Sequence, residues 1–268
     1  MTVSLKTLID NSDVVATVGK SYAEKFQDTF PGLYTKKEAI RAVPNGINFD
    51  GFDLNPVQAD YVYQKAKKSK KPLLTFASRL VPEKGIDAMI LSLKELSQQY
   101  EVHIVGDYSD DFRSRIFSRM ADTSIIFHGA ETRSNVLDLM RKSSVFVAPY
   151  IQEPFGIAPV EALVSGAIPI VTDMGGLKDN FSDIEADMIS GNAIVMGNNY
   201  SEFTEKISLD LLQRNLVNAA RRAYGIVGEK IGSIAGGLII NNGRNQAKTG
   251  RWSIERCVDN YVDIYRGN

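Results

Sequence analysis

Residues 145–181 read VFVAPYIQEPFGIAPVEALVSGAIPIVTDMGGLKDNF. The first four are an apolar run with β-branched residues, the mark of a strand buried on both faces. Pro149 ends that run, and residues 152–156 (Gln-Glu-Pro-Phe-Gly) form a turn carrying one carboxylate. A helix is expected over 156–165, stopping at Gly166. Residues 167–172 are the next buried strand, and Gly175-Gly176 open a second loop. In an open parallel sheet both loops fall at the carboxyl ends of strands, where ligands bind.

The chemistry of this stretch suits a phosphorylated ligand. Phe155, Gly156 and Ile157 offer backbone N–H groups at a helix start, an end that favours anions. Gly156 also lets a ligand approach the backbone closely. Glu153 lies before the helix and Glu161 inside it, about 12 Å further along if the whole span were helical. That is too far for two carboxylates sharing one proton, and it suits two carboxylates gripping different hydroxyls of an extended ligand. Spacing alone serves equally well a Glu153 that caps the helix and a Glu161 on a solvated helix face.

Outward from this stretch, strands and helices alternate: strands at 73–77, 102–105 and 125–127, and helices at 60–70, 83–98, 111–121 and 135–142. Such alternation implies a parallel sheet with helices on both faces and every strand's carboxyl end on one rim. The loop after the first of these strands, residues 78–85, carries Arg79 and Lys84 beside a helix start. An arginine can bind a diphosphate bidentately and a lysine as a point charge. Without context the same loop is ordinary exposed charge. The loop after 102–105 lacks the G-x-G-x-x-G of a dinucleotide fold. The basic run 65–71 reads as a solvated face.

Glu153-Pro154-Phe155-Gly156-Ile157 through Glu161, followed by Thr172-Asp173-Met174-Gly175-Gly176-Leu177-Lys178-Asp179, resembles the E-x7-E motif and Gly-Gly loop of retaining GT-B glycosyltransferases of group 1. That family includes sucrose synthases and many bacterial glycan and glycolipid transferases, with glycogen synthases as cousins. Residues 78–85 are similar to its G-R-L-x-x-x-K-G loop, with Ser78 in place of glycine, and residues 43–48 to its V-P-N-G-I-D hinge, with Asn48 in place of aspartate. The resemblance covers about 11–183, with a weaker echo at 252–265. It implies a Rossmann-like, doubly wound α/β domain that binds a nucleotide-diphosphate sugar as donor substrate, without a metal or other cofactor. Glu153, Arg79 and Lys84 are the implied catalytic residues, the first orienting the sugar and the cations stabilising the departing diphosphate. Phe155, Gly156, Ile157, Glu161, Gly175, Gly176 and Leu177 are the implied donor-binding residues, with Glu161 accepting from the ribose hydroxyls.

By the same resemblance, residues 1–48 are a truncated remnant of a second, acceptor-side Rossmann domain plus its hinge, and 49–268 are the donor domain with a C-terminal helix. The remnant holds a helical stretch at 5–10, a buried strand at 13–18, a helix at 20–28 and a strand at 39–43. A strand as apolar as DVVATV needs neighbours on both edges. After 183 the pattern weakens: a last strand over 192–196, one or two helices over 200–224, and then GIVGEKIGSIAGGLIINNGRNQAKTG at 225–250. This stretch, rich in glycine and asparagine, reads as a long loop, a divergent tail or a hairpin around Asn241-Asn242-Gly243, with phosphate cradling a minor prospect. Residues 252–265 form an amphipathic helix opened by Trp252, as in the resembling family, where that helix packs on the N-terminal domain.

Composition bounds the rest. The 268 residues are 44% apolar and 24% charged with net charge −1, ordinary for a globular chain and without a field that attracts nucleic acid or membranes. One cysteine, Cys257, excludes an internal disulfide, and with two histidines, His103 and His128, a thiolate–imidazole metal cage is not expected. No apolar run reaches the roughly 20 residues that span a bilayer, and a cytoplasmic protein is expected. The expected function is retaining, metal-independent transfer of a sugar from a nucleotide sugar to an unknown acceptor. With the acceptor domain absent, this chain should bind donor but transfer poorly, and a partner chain supplying that domain or a homo-oligomer is expected. The rival readings are a non-catalytic nucleotide-sugar-binding module, the donor subunit of a two-chain transferase, and an interaction domain on a decayed transferase scaffold.

Overall fold

The computed structural model describes Thr7, Ile9 and residues 11–29, 40–107, 125–196 and 208–267. Its centre is a six-stranded parallel sheet of β3 (Leu73–Ala77), β4 (Glu101–Val105), β5 (Ile125–Gly129), β6 (Val145–Ala148), β7 (Ile168–Thr172) and β8 (Ile194–Met196), in the order β5-β4-β3-β6-β7-β8. β6 and β7 are buried at every residue, as continuous apolar runs in an α/β sheet should be. β3 runs level with β4 from Leu73 opposite Glu101, and with β6 from Leu74 opposite Val145. The sheet grows from β3 in one direction and from β6 in the other. This doubly wound order makes the seam between them a topological switch point, and the loops that leave the two strands diverge there.

The helices are α2 (Tyr61–Ala66), α3 (Ile86–Gln99), α4 (Arg133–Lys142), α5 (Ile157–Val164), α6 (Gly176–Asn180), α7 (Leu209–Gly228), α8 (Ser233–Lys248) and α9 (Ile254–Tyr265). α3 packs on α7, and α5 packs on both α4 and α8. α7 and α8 meet at 102°, and among the described residues no single helix is long and apolar enough to cross a membrane. Before the sheet lie β1 (Val15–Thr17), α1 (Lys20–Thr29) and β2 (Ile40–Ala42), with β1 and β2 forming a separate two-stranded parallel sheet. The segment 43–48, expected as a hinge, lies against the far part of the chain: Ile47 N donates to Trp252 O at 2.8 Å, and Ile47 bridges Ser253. Trp252 is fully buried, with its indole N–H on Asn180 Oδ1 at 2.8 Å.

Several expectations need correction. Residues 225–250 are neither loop, hairpin nor tail: α7 runs on to Gly228, and most of the remainder is α8, a core helix with Ile239 and Ile240 fully buried. Its glycines are close-packing points. A Cβ on Gly236 would sit 2.5 Å from Val62, and one on Gly243 would sit 2.4 Å from Leu163. Its asparagines tie neighbouring segments: Asn241 both accepts from Val57 N (2.7 Å) and donates to Val57 O (3.0 Å). The expected helix at 60–70 stops at Ala66, inside the basic run 65–71. The helix at 83–98 is divided by Gly85 in the left-handed conformation (φ 68°), leaving a 3₁₀ turn at Pro82–Lys84 ahead of α3. The N-terminal strand is half-exposed, with one neighbour among the described residues. The expected helix at 111–121 and much of those at 5–10 and 200–224 lie outside the described residues.

One member of the basic run is not a solvated charge. Lys65 Nζ donates to Gly166 O at 2.7 Å, and burial, with Arg244 and Lys68 adding to it, brings its pKa from 10.5 down to about 7. The unfolded chain therefore binds more protons between about pH 7 and 10.5, so stability should rise with pH across that window. Unfolding midpoints measured over this range should climb in the native chain and climb less in Lys65→Met. Equal slopes would show an ammonium that stays charged.

Candidate functional site

The two loops at the switch point are sewn together by backbone. Ile151 N and Gln152 N, from the loop after β6, donate to Glu83 O in the loop after β3, at 2.9 and 3.1 Å. Gly85 lies so close to Pro149 that a Cβ on it would come within 1.9 Å of the Pro149 carbonyl oxygen. Tyr150, fully buried, donates its hydroxyl to Ala77 O at 3.3 Å, and burial first, then the Glu153 charge, raises its pKa.

This stitching brings Lys84 to Glu153. Lys84 Nζ is 2.6 Å from Glu153 Oε2, with the side chains 12% and 15% exposed, and it lies 4.9 Å from the Tyr150 ring centroid. Glu153 Oε1 accepts from Phe155 N at 3.0 Å and Gly156 N at 2.9 Å. The sequence reading has these N–H groups free for an anion. In the structure the chain's own carboxylate holds them, because the turn at Pro154 folds Glu153 back over the helix start. Arg79 stands apart, 72% exposed and 3.9 Å from Glu83. The two cations of the loop thus occupy different environments, one inside the seam and one at its mouth.

The Gly-Gly loop lies on the same turn. Gly176 N donates to Glu153 O at 2.8 Å, and a Cβ on Gly176 would fall 1.9 Å from Pro154 O, so this approach is open only to glycine. Leu177 is fully buried, its side chain reaching the Cα side of Gly156, and its N–H donates to Met174 O at 3.1 Å. Asn180 donates to Phe155 O at 2.7 Å, joining α6 to the turn. Ile157 is 42% exposed, and Phe155 is buried.

Glu161, on α5, is 8% exposed, which rules out the solvated helix face. Its Oε1 meets Arg133 at the first residue of α4. The sequence reading missed Arg133, since nothing in the spacing of 133 and 161 joins them. It quoted Asp179 within the Gly-Gly motif but missed its partner: the carboxylate accepts from Ser21 Oγ at 2.8 Å and Ser21 N at 3.2 Å, capping α1 and tying the Gly-Gly loop to the N-terminal segment. His103 and His128 lie together on β4 and β5, with Nδ1 and Nε2 2.9 Å apart. Among the described residues no group of three or more His, Cys, Asp or Glu side chains is placed to hold a metal ion. The arrangement offers cationic and N–H donors at one seam, with a buried carboxylate on the adjoining helix. It suits a ligand that carries both phosphate and hydroxyl groups.

Comparison with known proteins agrees with the sequence motifs. The family profile described as "Glycosyl transferases group 1" matches residues 58–224. Glycogen synthase of Moorella thermoacetica is 28% identical over 244 residues, covering 79% of this chain and 48% of that protein. Sucrose-phosphate synthase of Thermosynechococcus elongatus shares the fold, with a TM-score of 0.70 at 18% identity, over 98% of this chain and 60% of that one. The catalytic domain of starch synthase IV of Arabidopsis thaliana, solved with ADP and acarbose, superposes with a TM-score of 0.64 at 20% identity, over 95% and 58% of the two chains. The chain spans about half the length of the curated relatives it matches.

Proposed function

Because the chain belongs to the glycosyl transferases group 1 family, we propose that residues 49–268 are the donor-binding half of a retaining, metal-independent glycosyltransferase that uses a nucleotide-diphosphate sugar. The observation that carries this is the Lys84–Glu153 pair at the seam of β3 and β6, beside the N–H groups of Phe155 and Gly156. An arriving diphosphate would engage Lys84 and recruit Arg79 from solvent. Glu153 would turn toward the sugar hydroxyls, and Gly175, Gly176 and Ile157 would border the ligand with backbone. Leu177, wholly buried, would support that loop from beneath. As the bond from the anomeric carbon to the diphosphate oxygen breaks, the two cations stabilise the charge left on the diphosphate. Fixed charges of this kind often contribute the largest share of a rate enhancement.

Titration calorimetry with UDP, ADP and GDP in the presence of a chelator tests this. One of them should bind, and Arg79→Ala should weaken it by about 1.5–3 kcal/mol, the range for a hydrogen bond to a charged group. The corresponding nucleoside should bind the variant and native chains alike. No heat and no thermal shift with any of the three, on folded protein, would end the donor-site reading.

We infer that residues 1–48 belong to the acceptor side, completed by a partner chain or a second copy. Two observations support this. The β1–β2 sheet has only two strands among the described residues, and α9 buries none of its residues while Ile254, Val258, Tyr261 and Tyr265 stand exposed at helical spacing. The single cysteine fits a reducing compartment, and we place the protein in the cytoplasm. The same open edges also support the donor-subunit reading, which differs in where the acceptor domain is encoded and not in the chemistry of the seam.

A further inference from the structure

We propose that Arg133 is a positioning residue for nucleotide recognition: by holding Oε1 of Glu161, it leaves Oε2 aimed at the ribose and makes the site selective for ribose over deoxyribose. This rests on the donor-site reading above and adds to it a residue outside the family's motif positions.

The argument begins with how α4 starts. Thr132 caps the helix, its hydroxyl accepting from Asn135 N at 3.3 Å, and Asn135 Nδ2 in turn donates to Glu131 Oε2 at 2.7 Å. These contacts fix the first turn and therefore the Cα of Arg133. α4 packs on α5, so the guanidinium crosses a short gap to Glu161. The two ends of this ion pair differ in exposure: the Glu161 side chain is 11% exposed and the Arg133 side chain 62%. Among the described residues Arg133 is the one side chain that pairs with this carboxylate.

A carboxylate has two oxygens and about four acceptor directions, and one guanidinium contact on Oε1 leaves Oε2 to accept elsewhere. A carboxylate so held is set in one rotamer before the ligand arrives, so binding does not have to freeze it. Arg133 also lines a groove of about 290 Å³ formed with Asn48, Asp50, Phe52 and Leu137, and its 62% exposure leaves the ion pair open to solvent on that residue's end.

The experiment uses the full chain and whichever of UDP, ADP or GDP the native protein binds, alongside its 2′,3′-dideoxy analogue. The native chain should prefer the ribonucleotide by about tenfold or more, as loss of hydrogen bonds to a charged acceptor requires. Arg133→Met should lose about tenfold in affinity for the ribonucleotide and nothing for the dideoxy form, collapsing the preference. Arg133→Lys, which restores a cation, should recover part of it, and urea midpoints should show both variants folded. Equal losses on both ligands would make Arg133 a general attractor of anions, and unchanged or tighter ribonucleotide binding would also overturn the proposal. A native chain that binds nucleotide without regard to its hydroxyls overturns this inference alone, whereas one that binds no nucleotide overturns it together with the donor-site reading.

Discussion

Lys84→Met should lower folding stability by about 3 kcal/mol, the lower end for removing one partner of a buried ion pair, and should remove diphosphate affinity with it. The reason lies in the partners that remain. Glu153 is 15% exposed and would lose its ammonium, yet it keeps the N–H groups of Phe155 and Gly156, which limits the damage. Urea unfolding followed by tryptophan fluorescence is well suited, because the only tryptophan, Trp252, is fully buried. The double variant Lys84→Met/Glu153→Gln should cost less than the two single changes added together, since neither buried charge is then left alone. Additive losses would show that the pair contributes nothing as a pair. Arg79→Ala, by contrast, should leave the urea midpoint in place, because its ion pair to Glu83 is long and solvent-exposed. On these expected results the two cations of one loop are separable, Lys84 contributing to both fold and ligand and Arg79 to ligand only.

The larger effect concerns transfer itself. In a two-domain transferase the acceptor reaches the sugar across the cleft between domains, and holding two reactants in place can account for about 7–11 kcal/mol of the barrier. On the reading proposed here, these 268 residues bind donor but align no acceptor, so purified alone they should transfer sugar slowly or not at all. Adding a matching acceptor-side domain should raise the rate by several orders of magnitude while leaving nucleotide affinity nearly unchanged. The measurement is a transfer assay across several sugar nucleotides and acceptors, with sedimentation to count subunits. Fast transfer by a monodisperse monomer would show that residues 1–48 already form an acceptor site.

Much of this arrangement was legible because α/β sheets write their strands as apolar runs. The segments 73–77 and 145–148 match β3 and β6 residue for residue, and the motif around Glu153 led to the group 1 family that the profile match then showed. Residues 225–250 were not legible, for a physical reason. Glycine and asparagine are read as turn formers, but in α8 they solve a packing problem: Gly236, Gly237 and Gly243 admit neighbouring chains, and Asn241 satisfies a distant backbone. That is tertiary context overriding local propensity. Arg133 was hidden for a related reason, because its partner is on another helix and ion pairs leave no period in the sequence. Lys65 read as one of several surface lysines, and only the closeness of Gly166 O and Arg244 sets it apart. The N–H groups of Phe155 and Gly156 were placed correctly at the turn, but spacing left open whether Glu153 caps the helix, and only the structure shows that it does.

The hinge has a bearing on how the chain is made. Ile47 takes its backbone partner from Trp252, and Gly46 lies against Ile254, so closely that a Cβ on Gly46 would come within 2.6 Å of the Ile254 Cα. Contacts so far apart in sequence are slow to form, because the loop between them must close first. On a ribosome adding about 5–20 residues per second, the hinge emerges roughly 10–40 s before the segment that anchors it. Through that interval β1, α1 and β2 are tethered to a domain that has not yet received its last helices. Asp179, which caps α1, is made well before Trp252, so its contact with Ser21 has its residues available while those that anchor Ile47 are still to come.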